Sequence, residues 1–139
     1  MNIVVCISSV PDTTAKINFT DNGSKFDANG VQFVINPYDE FGLTKAMMLK
    51  EATGGKVTVI TVGDATVEPV MRKSLAIGAD AAVRINMNAT DSYSTANEIA
   101  NYLNNNPADI IIIDDFDSFN VLSNFINFSF IIFIFIICV

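Results

Sequence analysis

The chain contains no histidine. That removes the usual general base, the commonest metal ligand and any Ser-His or Cys-His nucleophilic pair. Cations are scarce too: eight Lys and Arg against fifteen Asp and Glu leave a formal net charge of -7, and every Lys and Arg lies at or before Arg84. An acidic chain without a basic patch is a poor partner for a nucleic-acid backbone. There are only two cysteines, Cys6 and Cys138, at opposite ends of the chain, which suggests neither a disulfide framework nor a metal site. The opening MNIVVCISSVPD has no basic leader and no apolar run long enough for a signal peptide, so a reducing, cytoplasm-like compartment is expected. Walker-type loops are absent, and Gly63-Asp64 is not a glycine-rich fingerprint.

What is present is a sizeable apolar fraction, 50% of 139 residues, enough for the core of one domain. The pattern is clearest between Lys56 and Arg84. The β-branched run Val57 to Val62 reads as a buried strand, and Gly63-Asp64 breaks it. Pro69 must fall in the first turn of the next helix, since proline inside a helix lacks an N–H and clashes with the preceding turn. The helix is therefore expected to start near Thr66 or Val67, with Val67, Met71 and Leu75 on the buried face and Arg72 and Lys73 towards water. Gly78 supplies the stop, and Ala81 begins the next strand. A strand-helix-strand unit implies a parallel sheet covered by helices.

The same grammar runs through the rest of the chain to Ile113. Four parallel strands are expected: Asn2–Ile7, Lys56–Val62, Ala81–Ile85 and Asp109–Ile113, the first of them inside the sheet. Ser8 to Thr13 forms a polar loop at the carboxyl end of the first strand, where open α/β sheets bind ligands. The turn-rich segment from Ile17 to Val34 reads as a short antiparallel excursion beside the main sheet. Asn36-Pro37-Tyr38-Asp39-Glu40 is a helix start with a capping Asn, a Pro at the first position and acids at the positive end of the dipole. Leu43, Ala46, Met47 and Lys50 share one face of that helix, and Gly54-Gly55 ends it. Its start can be a structural cap, or its amides can face a ligand as helix starts do for anions. A further helix carries Tyr93, Ala96, Ile99, Ala100 and Leu103.

Beyond Ile113 this agreement stops. The tail from 114 to 139 loses its Lys, Arg, Ala, Gly and Glu and crowds seven Phe among Ile, Asn and Ser. Three readings compete. A spanning helix needs about 20 apolar residues, and Asn124 and Asn127 interrupt this stretch without flanking cations. A core strand or helix would have many large side chains to bury. The third reading is a shifted reading frame or read-through into AT-rich DNA, whose codons favour Phe, Ile and Asn.

Asp12, Asp64, Asp114, Asp115 and Asp117 all come after expected strands and fall on one rim. They could hold Mg²⁺ as hard oxygen ligands, but solvated loop acids and helix caps explain them better, and no metal site is assigned. Cys6 lies within an apolar strand and reads as an inert buried thiol. No catalytic constellation emerges, so an enzyme is not expected.

From Met1 to about Ile113 the sequence resembles the beta subunit of electron-transfer flavoprotein. The resemblance is carried by VCISSVPDTTAKI at Val5 to Ile17, NPYDEFGLTKAMMLKE at Asn36 to Glu51 and MRKSLAIGAD at Met71 to Asp80, in matching order and spacing. It implies a Rossmann-like, adenine nucleotide alpha hydrolase-like parallel sheet with helices on both faces, incomplete here at its C-terminus. It also implies a heterodimer with an alpha subunit that holds FAD, passing electrons from flavin dehydrogenases towards the respiratory chain. In that family the beta subunit buries a structural AMP. By resemblance its contacts here are Cys6, Asn36, Pro37, Tyr38, Asp39 and Val62.

The chain departs from the family after its fourth strand. A Gly-led loop, with an Ile-Asp step and a later Gln-Thr-Gly, wraps the nucleotide phosphates in the family; here Asp114, Asp115 and Asp117 come after the strand. The segment that docks on dehydrogenases has no counterpart. The expectation is thus a truncated beta subunit, residues 1–113 forming a partial nucleotide-binding domain and 114–139 an atypical tail, not functional alone. The alternative is a freestanding nucleotide-binding or sensor module whose apolar tail serves dimerisation or membrane attachment.

Overall fold

The computed structural model describes residues 1–88, 91–114 and 131–133. Its centre is a five-stranded, wholly parallel sheet built from β1 (Asn2–Cys6), β6 (Lys56–Val62), β7 (Ala81–Ile85), β8 (Ile110–Ile113) and β9 (Ile131–Phe133). Their order across the sheet is β7-β6-β1-β8-β9. The four strands expected from sequence are all present, to within a residue at their ends, and β1 is internal. β9 is an addition: it lies in the apolar tail and pairs with β8 through Ile111 and Ile131. The other expectations for the tail, including those on Asp115 and Asp117, lie outside the described residues.

Strict alternation along the strands sorts the core into two layers. Val4, Cys6, Ile60, Ile111 and Ile113 point to one face and pack on Ala96, Ile99, Ala100 and Leu103 of α3 (Ser92–Asn105). Ile3, Val5, Val57, Val59 and Ile112 point to the other and meet Leu43 and Ala46 of α1 (Pro37–Thr53). Gly42 lets α1 lie close to the sheet, since a Cβ there would stand 3.1 Å from Ile112 Cγ2. Helices on both faces of a parallel sheet make this an α/β fold.

α1 starts and stops where its sequence dictates. The Asn36 side chain accepts from the Tyr38 N–H at 3.1 Å, Pro37 opens the first turn, and Gly54 at φ 66° ends the helix with its N–H on Lys50 O at 2.8 Å. α2 (Glu68–Ile77) differs from expectation. Ala65–Val67 forms a 3₁₀ turn capped by Asp64, and its tighter winding resets the phase of α2. The buried face is Val70, Met71 and Ser74, while Leu75 is exposed. Pro69 does fall in the first turn of α2.

The excursion is two small antiparallel pairs. β2 (Ser9–Pro11) pairs with β5 (Phe33–Ile35), and β3 (Phe19–Thr20) pairs with β4 (Lys25–Phe26) around a turn in which Asp21, Asn22 and Gly23 all take positive φ. Because β2 comes after β1 and β5 precedes α1, this clamp brings the end of β1 beside the start of α1. Asn36 N–H donates to Ser8 O at 3.0 Å across the junction.

Candidate functional site

From β1 the chain winds to β6 and β7 on one side, then returns to lay β8 on the other. The carboxyl ends of β1 and β8 therefore diverge, and an open α/β sheet binds its ligands in such a crevice. A cleft of about 560 Å³ lies there, within the range of small-molecule sites. Its walls are apolar where Cys6, Ile7, Val62, Val67, Ile99 and Ile113 reach it, and hydroxylic at Ser8, Ser9, Thr61, Ser92 and Thr95. Asn36, Asp39 and Asp114 complete it.

The polar heart of the cleft is a pair of acids. The Ser8 N–H and hydroxyl both donate to Asp39 Oδ2 at 2.6 Å. Burial pushes the Asp39 carboxyl up to about 8, a hydrogen bond to Asp114 and that residue's negative charge add to the rise, and the Ser8 donors oppose it. Its surroundings thus favour the protonated form of the Asp39 carboxyl. Asn36 joins the group through Nδ2, which donates to Asp114 Oδ2 at 3.3 Å. One asparagine therefore caps α1 through its oxygen and holds Asp114 through its nitrogen.

Of the six residues singled out from sequence, Cys6, Asn36, Asp39 and Val62 line this one cleft. Pro37 and Tyr38 sit beside it on the first turn of α1, but both are exposed and neither lines it. Cys6 is buried, and its thiol is pushed up to about 12 by burial first and by the charges of Asp39 and Asp114 second. A thiol in that state is no nucleophile at neutral pH.

Sequence reasoning missed Thr61, Ser92, Thr95 and Ile99. Ser92 and Thr95 stand at the start of a helix, where such residues usually serve as caps, so nothing local marks them as lining a cleft. The other rim acids act within their own turns. Asp12 accepts from Thr14 N–H and hydroxyl, and Asp64 accepts from Thr66 N–H and hydroxyl. Those bonds hold both carboxyls below the ordinary value of 3.8. Among the described residues no group of three or more acids or cysteines could hold a metal ion, and no helix is long and apolar enough to cross a membrane.

Fold and cleft together define a doubly wound parallel α/β domain with one polar crevice at its switch point. The chain belongs to the electron transfer flavoprotein family: residues 24–116 match the electron transfer flavoprotein domain. It is 36% identical over 116 residues to the electron transfer flavoprotein subunit beta of Bacillus subtilis, covering 81% of this chain and 44% of that one. It is 46% identical over 83 residues to protein FixA of Azorhizobium caulinodans, covering 60% and 29%. The acryloyl-CoA reductase electron transfer subunit gamma of Anaerotignum propionicum is 34% identical over 103 residues, covering 72% and 38%. The chain spans less than half the length of these curated relatives.

Proposed function

We propose that this chain is a beta-type electron-transfer subunit and that the cleft between β1 and β8 receives the adenosine moiety of an adenine nucleotide. AMP is the form the family resemblance suggests. The observation that carries this reading is the convergence of Cys6, Asn36, Asp39 and Val62 on one cleft at the switch point. The chemistry fits a nucleoside: apolar side chains such as Val62, Val67 and Ile99 can flank a base, and the hydroxyls and carboxyls can bond a ribose. In this reading the nucleotide is structural and does not take part in redox chemistry. Electron transfer belongs to FAD on an alpha-type partner, which accepts electrons from flavin dehydrogenases, and the chain alone is not an enzyme.

Support for the electron-transfer part comes from the names of the relatives, among them an electron transfer flavoprotein subunit beta and an acryloyl-CoA reductase electron transfer subunit. The test is co-expression of the full chain with an electron-transfer flavoprotein alpha subunit. The expected result is co-elution of the two chains in size-exclusion chromatography, with flavin absorbance in the shared peak. Separate elution would overturn the partner assignment. A cleft that binds neither adenosine nor AMP in a calorimetric titration would overturn the nucleoside assignment.

A further inference from the structure

The excursion between β1 and α1 carries two Asn-Gly steps, Asn22-Gly23 and Asn29-Gly30, in different surroundings. At such a step the main chain can attack the asparagine side chain, because glycine puts no side chain in the way of its own nitrogen. Asn29 is held against this. Its Nδ2 and its main-chain N–H both donate to Asp27 Oδ1, at 2.8 and 3.1 Å, and the Val31 N–H closes the turn on Ala28 O at 3.2 Å. Asn22 stands at the apex of the β3–β4 hairpin, exposed, and its side chain has no partner among the described residues. The bonds nearby pass the apex by: Ser24 N–H and Oγ donate to Asp21 O at 3.2 and 2.7 Å, and Lys25 pairs with Asp21 at 2.9 Å. Asp21, Asn22 and Gly23 take φ of 52°, 57° and 88°, a left-handed run that L side chains rarely adopt. A Cβ on Gly23 would meet no atom within 4 Å, so the main chain there has room to swing. β3 and β4 contribute two residue pairs, all exposed, and so small a ladder opens locally at little cost.

We propose that Asn22 is a modification site at which the folded chain deamidates itself, while Asn29 is protected by Asp27. The Gly23 main-chain nitrogen attacks Cγ of Asn22 and a C–N bond forms. The Cγ–Nδ2 bond breaks, and ammonia leaves with the proton given up by the Gly23 amide. Water then opens the cyclic imide at either carbonyl, which leaves aspartate or isoaspartate at position 22. Water is the only co-reactant. The product places a new carboxylate next to Asp21, whose own carboxylate is already paired with Lys25. The isoaspartate form also adds a methylene to the main chain at the apex, which disturbs the pairing of Phe19 with Phe26 and of Thr20 with Lys25. None of this depends on what the cleft binds.

The experiment incubates the full chain at mildly alkaline pH, in buffer and in denaturing urea, and follows both asparagines by peptide mass spectrometry against an unincubated sample. Tryptic cleavage after Lys16, Lys25 and Lys45 puts Asn22 and Asn29 in separate peptides. A gain of one mass unit reports deamidation, and a mixture of aspartate and isoaspartate peptides reports the imide route. In buffer Asn22 should convert at least about threefold faster than Asn29, and in urea, where both lose their surroundings, the rates should come within about twofold of each other. Asp27→Ala frees the Asn29 amide and should bring its rate in buffer to within about twofold of that of Asn22. Equal rates in buffer, or a faster Asn29, would overturn the proposal, as would a difference that persists unchanged in urea. An Asn29 rate unmoved by Asp27→Ala would overturn the protection by Asp27. Should that variant not fold, the native ratio in buffer against that in urea decides.

Discussion

The main-chain N–H and the hydroxyl of Ser8 converge on a single oxygen of Asp39, each at 2.6 Å, across the junction between β1 and α1. Two donors on one carboxylate oxygen would ordinarily favour the ionised acid. Burial and the nearby Asp114 outweigh them, and the Asp39 carboxyl rises to about 8. The folded-state value thus lies above the ordinary value of 3.8. The contribution of this group to stability is therefore complete below about pH 3.8 and is lost as pH rises through about 8. Asp39→Asn, which imitates the protonated acid, should raise the thermal midpoint by several degrees at pH 8, corresponding to about 1 kcal/mol or more. It should change little at pH 4. Thermal scans across that range check this, and a variant destabilised equally at both pH values would contradict it.

The exposed acids move the other way. Asp12, Asp64, Asp80 and Asp91 all lie below the ordinary 3.8 because each accepts hydrogen bonds from neighbouring side chains and backbone N–H groups. Their contributions are present above that value and are lost as pH falls through the lowered ones. Stability should therefore peak on the acid side of neutrality, between the window of these four and that of Asp39. Urea midpoints measured every half pH unit test it, and a maximum above pH 8 would count against it.

The strand grammar was legible because each element carried its own punctuation. Val57 to Val62 is continuously apolar or β-branched, Asn36-Pro37 can only start a helix well, and Gly54 and Gly78 both take the positive φ that their stops require. The α2 phase was not legible, because no residue announces that Ala65–Val67 winds as a 3₁₀ turn before Glu68. The cleft was half legible. Topology alone puts the loops after β1 and β6 and the start of α1 on one rim, but it was the family resemblance that picked out Cys6, Asn36, Asp39 and Val62 there. The Asn36–Asp114 contact joins positions 78 residues apart, and no local pattern encodes such a pairing.

Asp80 and Lys50 offer a separate test of the packing between α1 and the sheet. Asp80 accepts from the Val57 N–H at 2.8 Å and from Lys50 Nζ at 2.6 Å, and Lys50 also donates to Gly78 O at 3.2 Å. Val57 opens the buried part of β6, so its amide has no ready replacement partner. Asp80→Ala should lower the urea midpoint distinctly more than Lys50→Met, which removes a partly exposed ion pair and leaves the amide bonded. Equal losses would mean that the ion pair dominates.

Cys6 should be inert while the fold is intact. With its thiol pushed from 9.0 up to about 12, the thiolate fraction at pH 8 falls by about a thousandfold. In a Cys138→Ser background, iodoacetamide should label Cys6 at least about a thousandfold more slowly in buffer than in denaturing urea. Rapid labelling in buffer would show that the end of β1 opens.

Asn36 serves two masters, and its variants separate them. Its oxygen caps α1 at Tyr38 N–H, a role that serine or aspartate can fill, while its nitrogen holds Asp114. Asn36→Ala loses both and should cost about 1 kcal/mol for the cap, with a further cost for releasing Asp114. Asn36→Ser restores an acceptor and should recover most of the cap. Asn36→Asp is the informative change. As a cap it ranks with asparagine, yet it would set a third carboxyl near Asp39 and Asp114 and remove the donor that holds Asp114. At pH 7 it should therefore be less stable than Asn36→Ser, and at pH 4, where the added acid gains a proton, it should recover towards it. If Asn36→Asp matched the native protein at both pH values, Asn36 would be a cap and nothing more, and the tether on Asp114 would carry no weight.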